Sequence, residues 1–348
     1  NHQRVLNKTK IHKFKANEAS RYPRGYFQNI ALVGSEKWVF SNKNCRPPID
    51  LIEDDIKKLP DVKISGEDEF LICWTSGTST GRPKGVVHTH KSILSQYCMF
   101  LSNTSNKVKE FNGIRNKDIV PGVVPMSHMF GFYLYPFATI LQGACVVIIP
   151  KFDFEEFITV LSKYKVTTIH VVPTIINFLV KHPLVESILP LTSLREINSA
   201  ASHLSENLAS AVKKRFDVEL RQSYGMIETS CISVPEYGDT RTYSVGKIQP
   251  GTEVKLIDET GQQVGLGERG EMCVKGLNVM KRWLNDSESC VDEDGFFHTG
   301  DIVTYEKDGT IMRKIWENFD ASAYGDGIAA IDIVLLDPSN NYIEKLGN

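Results

Sequence analysis

Between residues 70 and 222, short unbroken apolar runs alternate with stretches whose apolar residues recur every three or four positions. Phe70-Leu71-Ile72-Cys73-Trp74 is such a run and predicts a buried strand. Residues 143–150 (GACVVIIP), 166–172 and 218–222 predict three more. A helix is expected from Asp153, with Phe154, Phe157, Ile158 and Leu161 on one face. Asp153 and Glu156 have capping-box spacing, with Asp in the Ser/Thr place. Pro173 opens a helix carrying Ile176, Phe178 and Leu179, and Leu204, Leu208, Ala211, Val212 and Phe216 set another over about residues 205–216. Strand–helix alternation of this kind predicts an α/β fold of largely parallel, layered sheets with flanking helices.

The pattern changes near residue 235. Residues 254–257 and 271–274 read as short strands separated by turns at Gly261, Gly265, Gly267 and Gly270, which predicts a small antiparallel β-barrel. Before the first run, residues 27–40 read as a strand and turn, and Pro47-Pro48 and Pro60 punctuate a linker.

Composition narrows the function. Forty basic and 42 acidic residues give a formal charge of −2, which argues against nucleic-acid or anionic-membrane partners. No run of 18 apolar residues is present, so no transmembrane segment is expected. The first twenty residues lack the apolar core of a secretory signal, and a chain beginning with Asn suggests a fragment. The seven cysteines are scattered without a C-x-x-C pair, which points to a reducing, cytoplasmic compartment and away from a zinc site.

The candidate chemistry follows the first apolar run. Residues 75–90 read TSGTSTGRPKGVVHTH, and the first eleven hold five hydroxyl side chains, three glycines and one lysine. Backbone N–H groups and hydroxyls from Thr75, Ser76, Gly77, Thr78, Ser79, Thr80 and Gly81, with the charge of Lys84, suit a polyphosphate. The loop is not Walker A: Pro83 separates Gly81-Arg82 from Lys84, and Gly85 stands where the metal-holding hydroxyl would be.

This loop resembles the phosphate loop of the adenylate-forming superfamily, which includes acyl-CoA synthetases and 4-coumarate:CoA ligases. The departure is one extra residue, because Thr78-Ser79-Thr80 separate Gly77 from Gly81 where the family pattern has two. Other segments carry the resemblance further. Gln222-Ser223-Tyr224-Gly225-Met226-Ile227-Glu228 is similar to the family's Gln-Gly-Tyr-Gly-Met-Thr-Glu, with Ile227 replacing a Thr that reaches the α-phosphate. His298-Thr299-Gly300-Asp301 matches Thr-Gly-Asp, and Ser199-Ala200-Ala201-Ser202-His203-Leu204 is similar to the segment lining the adenine. Pro125-Met126-Ser127-His128 places a His where acyl- and aryl-CoA ligases have one.

The resemblance implies roles residue by residue. Lys84 and the loop would hold ATP phosphates, Glu228 would hold Mg²⁺, and Tyr224 would lie against the adenine. Asp301 would accept both ribose hydroxyls, with Ala201, Ser202, Gln222, Ser223 and Gly225 completing the nucleotide site. His128, with Phe130 and Phe132, would border the acid pocket, and Lys84, His128 and Glu228 would be the catalytic set. CoA is the implied co-substrate and a small carboxylic acid the substrate. Between Ile119 and Tyr164 the acidic residues are Asp153, Glu155 and Glu156, all placed on a surface helix start, which argues against an amino-acid substrate.

The expected organisation is an α/β nucleotide-binding core over 1–235, the barrel over 236–312, and a tail over 313–348 in which no family hinge or lid is recognised. Activity as an acid–thiol ligase is the expected function. A catalytically impaired nucleotide-binding remnant or regulatory isoform is the alternative. A peroxisomal location is the alternative to the cytoplasm, although no such signal stands at this C-terminus.

Overall fold

The structure, a computed structural model, describes residues 63–75, 84–102, 113–140, 142–149, 151–239, 241, 244–284, 289–312, 333–336 and 342–346. The strand and linker expected over 27–60 lie outside them, as do Ser76, Gly77, Thr78, Ser79, Thr80 and Gly81.

The first apolar run forms β1 (Glu69–Trp74), which returns antiparallel as β2 (Gly85–Thr89) with Trp74 opposite Gly85. The phosphate-loop sequence therefore spans a hairpin between antiparallel strands, not a strand-to-helix junction. Helix α1 (His90–Ser102) follows at once, started by a reciprocal pair: Ser92 N donates to Thr89 Oγ1 and Thr89 N to Ser92 Oγ, each 3.1 Å. Next come β3 (Ile119–Gly122) and α2 (Met129–Phe132), which widens into a π-helical stretch at Tyr133–Thr139 around Pro136. Proline lacks the N–H that a regular turn needs, and a widened turn accommodates it.

Strand β4 (Cys145–Ile148) leads to α3 (Phe154–Lys163), where Asp153 accepts the Glu156 N–H at 2.8 Å as its capping spacing predicts. β5 (Thr168–Val171), α4 (Pro173–Lys181), β6 (Glu196–Ser199), α5 (Glu206–Arg215) and β7 (Glu219–Gln222) continue the alternation. β3 and β4 are parallel, as are β5, β6 and β7, and Thr167 N to Ile119 O (3.0 Å) joins the two groups. The main core lies between these strands and helices, with Phe157, Leu161, Ile169, Ile176 and Ile197 essentially inaccessible to water. Phe178 does not join it. It faces outward at 42% exposure and packs on Phe154, 5.4 Å between ring centres, so the buried face of α4 is Ile175, Ile176 and Leu179.

The later strands are β8 (Tyr224–Met226), β9 (Ser230–Val234), β10 (Ser244–Ile248), β11 (Thr252–Ile257), β12 (Arg269–Gly276), β13 (Arg282–Trp283), β14 (Phe297–Tyr305) and β15 (Thr310–Met312). Seven of them form one sheet in the order β11-β12-β14-β15-β10-β9-β8. The expected barrel is corrected here: among the described residues the sheet is antiparallel but open, because β11 and β8 stand at opposite edges. It includes β8 and β9, which precede residue 235. Two strands of the tail, β16 (Ile333–Leu336) and β17 (Tyr342–Leu346), extend the sheet of β1 in the order β13-β2-β1-β16-β17. Among the described residues no helix is long and apolar enough to cross a membrane.

Candidate active site

The phosphate-loop hairpin is closed at its base by two bonds: Thr75 N donates to Lys84 O (2.9 Å), and Lys84 N donates to Thr75 Oγ1 (3.1 Å). These fix where the loop leaves and re-enters the sheet. Lys84 Nζ stands 5.0 Å above the Trp283 ring, a cation–π contact that holds the ammonium beside β13.

Glu228 lies in the tight turn between β8 and β9, and only 8% of it is exposed. Burial raises its carboxyl pKa, and the nearby charge of Asp301 raises it further, while its own backbone N–H and the charge of Lys84 pull the other way. Lys84, Glu228 and Asp301, distant in sequence, thus share one electrostatic neighbourhood. A buried carboxylate suits a hard cation, so the donor chemistry at Glu228 fits Mg²⁺.

The Tyr224 hydroxyl donates to Asp301 Oδ2 at 2.5 Å, joining β8 to β14. The Tyr224 ring is 4% exposed and packs in the core of the seven-stranded sheet with Ile232, Val245 and Val303. Asp301 follows Gly300, whose φ of +74° is a conformation suited to glycine. Glu271 Oε1 accepts the Gly300 N–H at 2.9 Å, and Thr299 Oγ1 accepts the Asp301 N–H at 3.1 Å. Gly225 is required for another reason: a Cβ there would overlap the Ser230 carbonyl across the β8–β9 pair.

A second group of predicted residues gathers at the carboxyl ends of β6 and β7, the end of a parallel sheet where ligands usually bind. Ser223 N donates to Ser199 O (2.9 Å), and Leu204 N donates to Gln222 Oε1 (2.7 Å), which lays the 199–204 segment beside 222–223. The Ser199 and Ser223 hydroxyls and Gln222 Nε2 are buried without a hydrogen-bond partner among the described residues. Ala201 has φ of +70°, costly for a residue with a Cβ, and Ser202 follows it.

His128 caps α2, its Nδ1 accepting the Phe130 N–H at 3.0 Å, and burial pushes its pKa down to about 4. It is therefore a neutral imidazole near pH 7. Phe130 and Phe132 diverge: Phe130 packs on the main core and edge-on to His170, whereas Phe132 packs with Phe70, Met129, Tyr133 and Ile227. Two residues apart on a helix, they cannot line one wall. Ile227 is tied to this second cluster by packing, and Tyr133 Oη lies 3.2 Å from Ser230 Oγ, so the Phe132 side adjoins the Glu228 turn.

Two residues of the site environment were not singled out from the sequence. His88 and Asn278 hold the backbone around Glu228 through side-chain bonds to residues 139 and 49 positions away. The faint sequence signal is a polar side chain inside an apolar context, His88 within GVVHT and Asn278 within GLNVM.

Parallel strands, a loop hairpin and the buried carboxylate of Glu228 thus come together in an α/β protein. The chain belongs to the AMP-binding enzyme family, whose model matches residues 13–284. It is 37% identical over 268 residues to the probable 4-coumarate–CoA ligase 2 of Dictyostelium discoideum, covering 74% of this chain and 47% of that protein. It resembles the solved structure of ATP-bound MatB from Rhodopseudomonas palustris, with a TM-score of 0.61 and 26% identity over 69% of this chain and 46% of that one. It also shares the fold of the N-terminal domain of FACL13 from Mycobacterium tuberculosis (TM-score 0.63, 23% identity, 76% of this chain and 66% of that one). The chain spans about half the length of the curated relatives it matches.

Proposed function

We propose that the protein activates a carboxylic acid with ATP and passes the acyl group to the thiol of CoA. The observation that carries this reading is the bonded junction of the Glu228 turn with β2 after Lys84 and with residues 280–284, beside the Tyr224–Asp301 bond. In the first step a carboxylate oxygen attacks the α-phosphorus and the bond to pyrophosphate breaks. In the second the thiol sulfur attacks the acyl carbon, AMP leaves, and the thiol proton goes to solvent. Thr75, Lys84 and the loop through Ser76, Gly77, Thr78, Ser79, Thr80 and Gly81 hold the phosphates. Lys84 offsets charge that develops on them. Glu228 would hold Mg²⁺, which supplies further neutralisation of the phosphates when bound. Asp301 accepts the ribose hydroxyls, a carboxylate having two oxygens for a cis-diol. Ala201, Ser202, Gln222, Ser223, Tyr224 and Gly225 frame the base.

Neutral His128 stands at the acid pocket with Phe132, on the side of the Glu228 turn, while Phe130 packs on the main core, and the pocket takes an aliphatic or aryl acid. A buried ammonium would need a carboxylate partner, and Asp153, Glu155 and Glu156 are on the start of α3. The relatives' 4-coumarate name is in keeping with an aryl acid. Pyrophosphate exchange into ATP, run with fatty, cinnamate-like and free amino acids, tests this. Exchange driven by an aliphatic or aryl acid, with a CoA thioester formed on adding CoA, is expected. Preference for an amino acid overturns the substrate class, and absence of exchange with retained ATP binding supports the impaired-remnant reading.

A further inference from the structure

The turn that carries Glu228 is held by three successive backbone carbonyls. Ile227 O accepts from His88 Nε2 at 2.8 Å, Glu228 O from Met280 N at 2.7 Å, and Thr229 O from Asn278 Nδ2 at 2.7 Å. His88 and Asn278 are both inaccessible to solvent, so these are interior bonds, not surface contacts. Each comes from a different piece of chain. His88 is on β2, four residues after Lys84, and Asn278 is in the turn after β12. The same pieces are bonded to one another, Lys281 N to Val87 O (2.9 Å) and Leu284 N to Gly85 O (2.7 Å). The lysine strand, the Glu228 turn and residues 278–284 thus lock together.

The chemistry of His88 is fixed by its surroundings. A ring nitrogen 2.8 Å from a carbonyl oxygen must donate, so Nε2 carries hydrogen. Burial keeps the ring neutral near pH 7. Nδ1 is then an acceptor, 3.1 Å from Ser92 Oγ on the first turn of α1, whose single hydroxyl hydrogen is also within reach of Thr89 O at 3.0 Å. A hydrophobic residue in this place could fill the volume but could not pair the Ile227 carbonyl. Asn278 is matched to Thr229 in the same sense, because its amide nitrogen donates where a carboxylate of the same shape would repel.

We propose that His88 and Asn278 are positioning residues that fix the Glu228 turn from two sides, so that its carboxylate meets a divalent cation on the nucleotide phosphates in register with Lys84. The inference rests on the reading of Glu228 as the cation carboxylate. Residues that orient a metal ligand from outside typically change metal affinity by about 10- to 100-fold when removed. Neither residue touches substrate. Their effect is confined to the cation-dependent part of nucleotide binding.

The test is calorimetric titration of the full chain with ATP, with and without MgCl₂. In the parent, Mg²⁺ tightens ATP binding. Glu228→Gln removes that tightening, and if it does not, the reading of Glu228 fails and this inference fails with it. His88→Leu is expected to reduce the tightening by about tenfold or more, with Mg²⁺-free affinity as in the parent. His88→Gln, whose Nε2 overlays the imidazole Nε2, restores it. Asn278→Asp, isosteric but without the donor, behaves as His88→Leu and decides the matter should His88→Leu not fold. With Glu228→Gln behaving as expected, the proposal is overturned if His88→Leu and His88→Gln show the same Mg²⁺ dependence, or if Asn278→Asp keeps the full effect.

Discussion

The hydroxyl of Tyr224 donates a 2.5 Å hydrogen bond to Asp301, across 77 residues of chain. The bond links the turn strand β8 to β14 and orients one oxygen of the carboxylate proposed to hold the ribose. Asp301→Ala removes both acceptors and is expected to abolish most of the thermal shift that ATP produces by mass action. Tyr224→Phe keeps the buried ring and loses only the oriented bond, so its loss is smaller, on the order of 1 kcal/mol of nucleotide binding. Thermal melts with and without ATP check both. A shift in Asp301→Ala equal to that of the parent removes Asp301 from the site.

Two fully buried histidines predict acid sensitivity in a defined window. Burial lowers the pKa of His88 to about 4 and that of His170 to about 3, from an ordinary value of 6.5. Because the folded values are depressed, the unfolded chain binds more protons between these limits. Stability is complete above pH 6.5 and is lost as pH falls toward 4. The loss is about 2 kcal/mol per histidine by pH 5. Urea unfolding at pH 7 and pH 5 measures it, and His170→Leu should flatten the slope by one proton. A stability unchanged between these pH values contradicts the prediction.

Glu196 sits at the centre of a buried ionic network on β6. Its carboxylate pairs with Arg221 (2.5 Å) and Arg195 (2.6 Å) and accepts from Asn198 (2.6 Å), while Arg195 also pairs with Asp118 (2.7 Å). Removing one member of a buried set leaves the others uncompensated. Glu196→Ala is therefore expected to cost about 3–5 kcal/mol, read as a lower denaturation midpoint. A cost under about 1 kcal/mol would place the pair in the class of surface contacts.

Ala201 holds a left-handed backbone, φ +70°, beside the open Ser199 and Ser223 hydroxyls. Ala201→Gly relieves that strain and is expected to leave stability unchanged or raise it by up to roughly 1 kcal/mol. Ala201→Val, with a branched Cβ in the same conformation, should lower it by more. The melting temperatures of the two variants, compared with the parent, decide whether the strain is present in solution.

Much of this protein was legible from local pattern. The apolar run at residues 70–74, the capping spacing of Asp153 and Glu156, and Pro173 at a helix start each depend on neighbours within one turn, so sequence alone places β1, α3 and α4. The phosphate-loop, Tyr-Gly and Thr-Gly-Asp motifs likewise name candidate site residues, because backbone freedom and side-chain chemistry are properties of short segments.

What pairing across the chain decides was not legible. Only the sheet order shows that the later strands leave an open edge in place of a barrel, and that β8 and β9 belong with them. Helical spacing allowed Phe178 on the buried face, but packing against Phe154 turned it outward. His88 offered one polar side chain in an apolar strand, and the carbonyl it holds lies 139 residues away. Local propensity fixes elements and motif chemistry. The pairing of buried donors with distant acceptors is a property of the assembled interior, where an unpaired polar group is costly and each partner is chosen by tertiary packing.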